Sequence, residues 1–412
     1  MESPITLAIV GAGQRGNVFA EIASQLPPWA RVVAVAEPRE EYRRDFARRW
    51  GVPAEKTFKD WRALAAQPRL SDAVIICTMD RDHVEPAVAF TAAGYHMLLE
   101  KPMATSLEDC RRIAQAQEKG RTITCVCHSM RYIDAFARLK ETIRRGRIGR
   151  IVSIDQLEQV VWWHQAHSFV RGNWGNEGRA APMLLAKSCH DIDYIAYLVE
   201  AACQRVQSFG SLFYFTKANA PAGSGERCTA CAVEAHCPYS AIKVYVNADR
   251  TSWPASVVAP DHSVEAHTAA ISTGPYGRCV WKCDNDVVDH QVVAMEFKNG
   301  VTATFTMTAF TRNPGRKIRV HGTEGEIEFT EQRMWVRTFT DKSEEEVVFG
   351  EEQGTHGGGD ARVLRSFLSA IRENDPRLVL TDVHESLRTH SIVFAAERSR
   401  HEGRMVSMEE MA

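Results

Sequence analysis

A short apolar run at 6–10 stops at Gly11-Ala-Gly13-Gln-Arg-Gly16 and gives way to an amphipathic segment through about Gln25. A buried strand, a glycine-rich turn and a helix in that order leave few architectures open, because each glycine answers a steric demand. Gly11 permits the tight turn, Gly13 lets a pyrophosphate approach the backbone, and Gly16 lets helix and strand pack closely. The helix amino terminus then faces the negative charge. Gln14 and Arg15 stand in the same turn and count with it as nucleotide-binding candidates. The next strand, 31–37, ends in Glu37, about twenty residues past the last glycine, where an acid that accepts hydrogen bonds from ribose hydroxyls should stand. The two features together predict a dinucleotide site. Glu37 repels a 2′-phosphate, which favours NAD over NADP, and the nearby Arg39 blurs that preference.

Strands and helices go on alternating: a helix near 39–50, a helical turn after Trp61, a strand at 73–78, a helix near 84–93 and a strand ending at Glu100. Ser106 caps a further helix, with Asp109 three residues on, and 122–127 makes one more strand. This pattern predicts a doubly wound parallel sheet over 1–128. Thr78, at a strand's carboxyl end, is a cofactor contact, with His83 and His128 as further candidates. The stretch at 94–105 carries the chemistry, since its apolar run ends in Glu100, Lys101 and Pro102. A charged pair at the carboxyl end of a buried strand is costly unless it faces a cleft, and strand ends are where open sheets bind ligands. Lys101 is therefore the first catalytic candidate.

The glycine turn, the acid at Glu37 and Glu100-Lys101-Pro102 together resemble the Gfo/Idh/MocA family of sugar and cyclitol oxidoreductases. The resemblance spans nearly the whole chain and implies that Lys101 lies beside the nicotinamide and the substrate. It also implies a substrate and oligomerisation domain over 129–412, with a homodimer or homotetramer built on its sheet. At 412 residues, two domains is also the prior from length. A net charge of -2 leaves no basic excess for a nucleic-acid backbone, and no apolar run approaches the length of a membrane span. The Met1-Glu-Ser-Pro start lacks a basic region followed by an apolar core, so a cytoplasmic protein is expected.

From 149–155 onward the pattern becomes that of strands with alternating residues, at 204–215, 288–297, 302–310, 317–322 and 326–329, with Asn299-Gly300 as a hairpin turn. This predicts an α+β domain with a large, mostly antiparallel sheet, covered by helices near 181–200, 359–373 and 384–401. Trp163, His164, His167, Arg171, Asn173 and Trp174 form a candidate substrate wall, because indole faces stack on sugar rings and the polar groups hold hydroxyls or an anionic substituent. Lys187, His190 and Tyr194 are expected on one helix face. The resembled family usually places an aspartate four residues before this histidine; here that residue is Ala186, with Lys187 beside it. Lys187 then becomes a second acid/base candidate, or a holder of an anionic group. If these side chains converge, the pocket is cationic and suits an acidic sugar.

Cys228, Cys231 and Cys237, spaced by two and five residues, lie in an insertion near 218–286 and can place three thiolates on one metal, with Cys279 or Cys283 as a fourth. A structural zinc clamp is expected, ahead of an iron–sulfur cluster, since the spacing fits no standard ferredoxin run, and of free buried cysteines. His356 opens a mobile glycine loop, after which Asp360 is expected to cap a helix. The parts suit an NAD-dependent enzyme oxidising a secondary hydroxyl of a sugar, with Lys101 and His190 or Lys187 moving the proton. They also suit a hydrolase that oxidises, eliminates, adds water and reduces with the same NAD, and the resemblance implies this alternative too, since the resembled family includes NAD-dependent glycoside hydrolases, among them enzymes acting on sulfoquinovosides. A non-catalytic NAD sensor would need neither Lys101 nor His190.

Overall fold

The computed structural model describes residues 3–26, 28–350 and 354–412; Met1 and Glu2, part of the amino terminus read above, lie outside them. The chain forms two compact units. The first is built from Met1–Ile151, Ile192–Ala201 and His321–Phe394, the second from Val152–Asp191, Ala202–Val320 and Ala395–Ala412.

In the first unit β1 (Ile5–Val10), α1 (Gln14–Ser24), β2 (Ala30–Ala36), α2 (Glu40–Trp50), β3 (Thr57–Phe58) and α3 (Trp61–Ala65) follow one another. Then come β4 (Ala73–Ile76), α4 (Val84–Ala92), β5 (His96–Leu99), α5 (Leu107–Gly120) and β6 (Thr124–Val126). The strands are parallel and ordered β3-β2-β1-β4-β5-β6. The order reverses between β1 and β4, where an open sheet leaves a crevice at the strand carboxyl ends. The expected doubly wound sheet is present, and Ser106 caps α5 by accepting from the Asp109 amide.

Both faces of this sheet are covered. Ile9, Phe19 and Phe46 pack with Val363, Leu364 and Phe367 of the late helix Gly359–Glu373, while Val10, Ile76, Phe90 and Ile113 form the core on the other side. Each such side chain contributes about 1.5–3 kcal/mol on burial.

The remaining strands are β7 (Ile151–Val161), β8 (Cys203–Ser211), β9 (His290–Phe297), β10 (Thr302–Thr311), β11 (Gly315–Gly322), β12 (Gly325–Thr330), β13 (Arg333–Thr338), β14 (Glu344–Val348) and β15 (Val406–Ser407). In the second unit β10 pairs parallel with β7 and antiparallel with β9, which pairs with β8, which pairs with β15, so this sheet is mixed and mostly antiparallel. Asn299-Gly300 makes the β9–β10 hairpin, with Gly300 at φ 86°, a conformation that favours glycine. In the first unit β12, β13 and β14 form an antiparallel meander. The cysteine-bearing insertion is mostly short turns plus a helix, Val264–Thr273, around Cys228, Tyr245, Val246 and Ile271. Among the described residues no helix is long and apolar enough to cross a membrane.

Candidate functional site

The nucleotide cradle lies in the first unit, where β1 turns into α1. Gly11 has φ 94°, and a Cβ there would stand 2.5 Å from the Cys77 carbonyl oxygen. A Cβ at Gly16 would stand 2.1 Å from the Gly11 oxygen, whereas one at Gly13 would meet only the Arg39 guanidinium, at 3.7 Å. Two glycines are thus required by the protein itself, and the third faces space. Gly13 caps α1 without a side-chain bond, and the first turn carries no acid, so the positive helix end suits an anion. Gln14 is exposed beside it.

Glu37, buried at the end of β2, accepts from the Ala12 amide at 2.8 Å and from the Arg39 amide at 3.0 Å. The Arg39 guanidinium grips the same carboxylate with two bonds of 2.7 and 3.0 Å and lies over the Tyr42 ring. Burial opposes the charge on Glu37, but the Arg39 bonds outweigh it and hold the carboxyl below the usual range. A dinucleotide ribose would therefore meet an acid already oriented by Arg39.

The Lys101 loop is fixed through its backbone. Glu100 accepts from the Lys101 amide at 3.1 Å, the His83 imidazole donates to the Pro102 carbonyl at 2.8 Å, and the Met103 amide donates to His390 at 3.0 Å. His83 also lies 3.3 Å from the Thr78 carbonyl, while the Thr78 hydroxyl donates to Asp82. Behind the loop, His128 and His390 meet edge to face at 5.4 Å, and the Arg131 fork holds Asp193 with two 2.7 Å bonds. Burial pushes His390 down to about 3 and His128 below its ordinary value, and the charge of Lys101 adds to both shifts. Two neutral imidazoles thus stand near the lysine.

Arg15 bonds Glu100 at 2.6 Å and forks onto Asp360 at 2.8 and 2.9 Å, and His356 lies 3.0 Å from Asp360. Asp360 is not the expected cap; Gly358 holds that position, and the carboxylate is occupied by the guanidinium. Despite burial, His356 and Arg15 hold the Asp360 carboxyl well below the usual range. Sequence reasoning missed this pairing because its partners are 345 residues apart.

The second unit distributes the expected substrate residues among several environments. Trp163 stacks with His164 at 6.0 Å, and Trp253 packs on both, so this part of the wall is an aromatic cluster. Asn173 is exposed and Trp174 half-buried. His167 is buried, 3.0 Å from the Tyr245 hydroxyl and stacked at 4.7 Å on Tyr276; burial and the Arg171 charge push it down to about 3. It is neutral at physiological pH and adds no positive charge. Arg171 points into the insertion, where it donates to the carbonyls of Arg278 and Tyr239, each at 2.7 Å.

Lys187 ends the short helix Met183–Ala186 and donates to Glu158 at 2.6 Å. Arg316 lies 3.0 Å from Glu158 and 2.7 Å from Asp191, giving two cations alternating with two carboxylates. Burial, with Glu158 adding to it, raises the Asp191 carboxyl against the pull of Arg316. The expected convergence of cations is thus corrected: strand alternation turns Glu158 inward, and the network is balanced. His190 is buried at the head of the helix Cys189–Val199. Tyr194, within the first unit, is fully buried with its hydroxyl donating to the Phe136 carbonyl at 2.6 Å, which removes it from any wall.

The four cysteines of the expected zinc clamp, Cys228, Cys231, Cys237 and Cys279, line one narrow cavity in the insertion. Four sulfurs bound tetrahedrally to zinc lie about 3.8 Å apart, yet among the described residues no three of these thiols have sulfurs within 4.8 Å of one another. The group that does meet that spacing is Glu177, Glu397 and His401, where Arg400 already bonds both carboxylates, at 3.0 and 2.6 Å.

Residues 5–128 match the family model described as oxidoreductase family, NAD-binding Rossmann fold, and residues 140–408 match the one described as oxidoreductase family, C-terminal alpha/beta domain. YteT of Bacillus subtilis (strain 168) is 26% identical over 312 residues, 71% of each chain. Levoglucosan dehydrogenase of Pseudarthrobacter phenanthrenivorans is 25% identical over 366 residues, 86% of this chain and 78% of its own. Myo-inositol 2-dehydrogenase of Thermotoga maritima is 27% identical over 211 residues, 50% of this chain and 58% of its own. A levoglucosan dehydrogenase structure with NADH and levoglucosan superposes with a TM-score of 0.73 at 20% identity, covering 98% of this chain and 100% of that one.

Proposed function

Because the chain belongs to the Gfo/Idh/MocA family of NAD-binding oxidoreductases, we propose that it oxidises a secondary hydroxyl of a sugar or polyol, with Lys101 taking the hydroxyl proton. The observation that carries this reading is the Lys101 loop, held by Glu100, His83 and His390 at the carboxyl end of β5 in the same unit as the glycine cradle. A general base must be held in place to be useful, and three independent backbone contacts do so. NAD, when bound, accepts the hydride from the carbon bearing the hydroxyl. Gly11, Gly13, Gln14, Arg15, Gly16, Glu37, Arg39, Thr78, His83 and His128 are the proposed cofactor side, in a nucleotide domain beginning at 1–128. Trp163, His164, Asn173, Trp174, Lys187 and His190 are the proposed substrate residues in the domain over 129–412.

The preference for an acidic sugar loses its main support, since Glu158 and Asp191 balance Lys187 and Arg316. Neutral sugars, of the class named for the levoglucosan and inositol dehydrogenases, come first in the substrate panel. The second reading, a redox-assisted glycosidase, needs an additional group to carry a proton in the elimination, a role open to His190 at the head of the helix Cys189–Val199. We further propose a homodimer through the sheet of the second unit, where Val152, Phe209, Val292 and Phe310 are exposed and Phe209 pairs with Val292. A cytoplasmic location is part of the same proposal.

The test follows purified protein with neutral and acidic sugars and their chromogenic glycosides, reading NADH absorbance and aglycone release together. Stoichiometric NADH is the expected result. Aglycone release with only catalytic NAD and no net NADH replaces the dehydrogenase with the glycosidase, and tight NAD binding without turnover replaces both with a sensor.

A further inference from the structure

We propose that Asp360 and Arg15 are positioning residues for the Lys101 turn, acting on it through the Glu100 carboxylate; this rests on the reading of Lys101 as the base. All four residues belong to the first unit, Arg15 on α1, Asp360 on the helix Gly359–Glu373, and Glu100 and Lys101 just past β5. Glu100 bridges two partners, its Oε2 accepting from the Lys101 amide at 3.1 Å and its Oε1 from the Arg15 Nε at 2.6 Å. The Arg15 fork then reaches Asp360, Nη1 to Oδ2 at 2.8 Å and Nη2 to Oδ1 at 2.9 Å. Asp360, Arg15, Glu100 and the Lys101 amide thus form one continuous chain of hydrogen bonds.

Two observations carry this. The first is charge. The place of Arg15 in the glycine turn suggests a phosphate ligand, yet its guanidinium already meets two buried carboxylates, which leaves little of its positive charge for a pyrophosphate. Burial works against the charged guanidinium, but Glu100 and Asp360 together hold its pKa well above the ordinary value. The second observation is how closely the far end is built. His356, Gly357 and Gly358 have φ of 48°, 54° and 73°, three left-handed residues in a row that deliver the chain to Gly359. A Cβ at Gly359 would stand 2.8 Å from the Ser129 carbonyl oxygen and 2.9 Å from Ile133 Cγ1, so the helix can begin here only with glycine. Asp360 follows at once. Val363, Leu364 and Phe367 of the same helix share a core with Ile9 and Phe19, and the Arg15 guanidinium lies 5.1 Å from the Phe19 ring. Both ends of the Asp360 and Arg15 pair therefore stand on one core.

Without Arg15 the buried Glu100 carboxylate would face the interior with its charge unbalanced, which is costly, and it would turn toward water. The Lys101 amide would then lose its acceptor, so the grip nearest the lysine would go while those at Pro102 and Met103 remained. An error of about 1 Å in where the side chain starts is enough to cost about 10²-fold in rate. The glycine cradle and Glu37 would stay in place, because neither depends on this chain of bonds.

The test compares Arg15→Met and the milder Asp360→Asn with the unaltered full chain in two measurements. Amide hydrogen exchange, which needs no substrate, should quicken about tenfold at 100–103 in Arg15→Met, and by less in Asp360→Asn, with exchange at 73–76 in β4 unchanged. Turnover of levoglucosan or myo-inositol should fall about 10²-fold in Arg15→Met while NAD affinity, read by titration, stays within about twofold. Unchanged exchange at 100–103 overturns the proposal whatever the sugar. Equal quickening at 73–76 marks a general loosening and overturns it as well. Weakened NAD binding with normal turnover makes Arg15 a phosphate ligand instead. Lys101→Ala in the same assay separates the two readings: full turnover there removes the base assignment and this proposal with it, whereas full turnover in Arg15→Met beside an inactive Lys101→Ala removes this proposal alone.

Discussion

Lys101 and Lys187 each follow the end of a regular element, yet the two are held in opposite ways. The segment around Lys101 is gripped through its main chain, by a carboxylate on one amide, an imidazole on one carbonyl and a second imidazole on another amide. Lys187 is gripped by its own ammonium, 2.6 Å from Glu158 in a balanced set of four charges. The first arrangement fixes where a side chain starts and suits a group that exchanges a proton. The second fixes where a side chain ends and suits a scaffold.

The sharpest way to break this contrast is to replace each lysine by alanine. Lys101→Ala is expected to lower turnover about 10³-fold with little change in NAD affinity, read by steady-state rates and by nucleotide titration. Lys187→Ala is expected to cost far less turnover. Equal losses would collapse the distinction.

Glu158→Gln tests the scaffold side. Removing the anion between two cations is expected to destabilise the protein by about 3 kcal/mol, seen as a lower urea midpoint, and Lys187→Met in the same chain should recover part of it. Full stability in the single variant would show that the network carries no structural weight.

Acid sharpens the comparison between units, because each contains an imidazole pushed down to about 3, His390 in the first and His167 in the second. Both are neutral when folded and have ordinary values near 6.5 when unfolded. Their stabilisation is therefore complete above about pH 6.5 and is lost as pH falls from there toward 3, by up to about 1.4 kcal/mol per pH unit for each group. Thermal melts of His167→Gln and His390→Gln across that range should each show a shallower decline than the unaltered protein.

The smallest effect is expected at the ribose acid. Arg39→Ala frees the Glu37 carboxylate and should change NAD affinity by only a few-fold while weakening NADP further, measured by competitive titration. Tighter NADP binding in that variant would reverse the proposed role.

What the sequence disclosed follows the range of the forces involved. The turn at Gly11 to Gly16, the acid at Glu37 and the strand before Lys101 were readable because period, sterics and spacing are local. Their partners were not. Arg15 meets Asp360 from the far end of the chain, and Lys187 meets Glu158 across 29 residues, a pairing no periodicity encodes. The balanced charges explain why a cluster of basic residues in the sequence did not become a cationic pocket. β14 went unread because its side chains are nearly all exposed, leaving no apolar alternation. The cysteine spacing put Cys228, Cys231 and Cys237 in one loop, but what brings Cys279 to their cavity is the bridge between Arg227 and Arg278, which no spacing encodes.

The helix Gly359–Glu373, which covers one face of the first sheet, has a consequence for the life of the chain before it is folded. Ribosomes deliver β1 and α1 early and this helix late, so Ile9, Phe19 and Phe46 wait for it through synthesis of all of the second unit that precedes Ala395. Until that helix is made, the apolar face they form is expected to favour association with other apolar surfaces. A gene cut after residue 128 would encode a recognisable nucleotide-binding sequence and an aggregating product, so the two halves cannot be exchanged between relatives as independent cassettes.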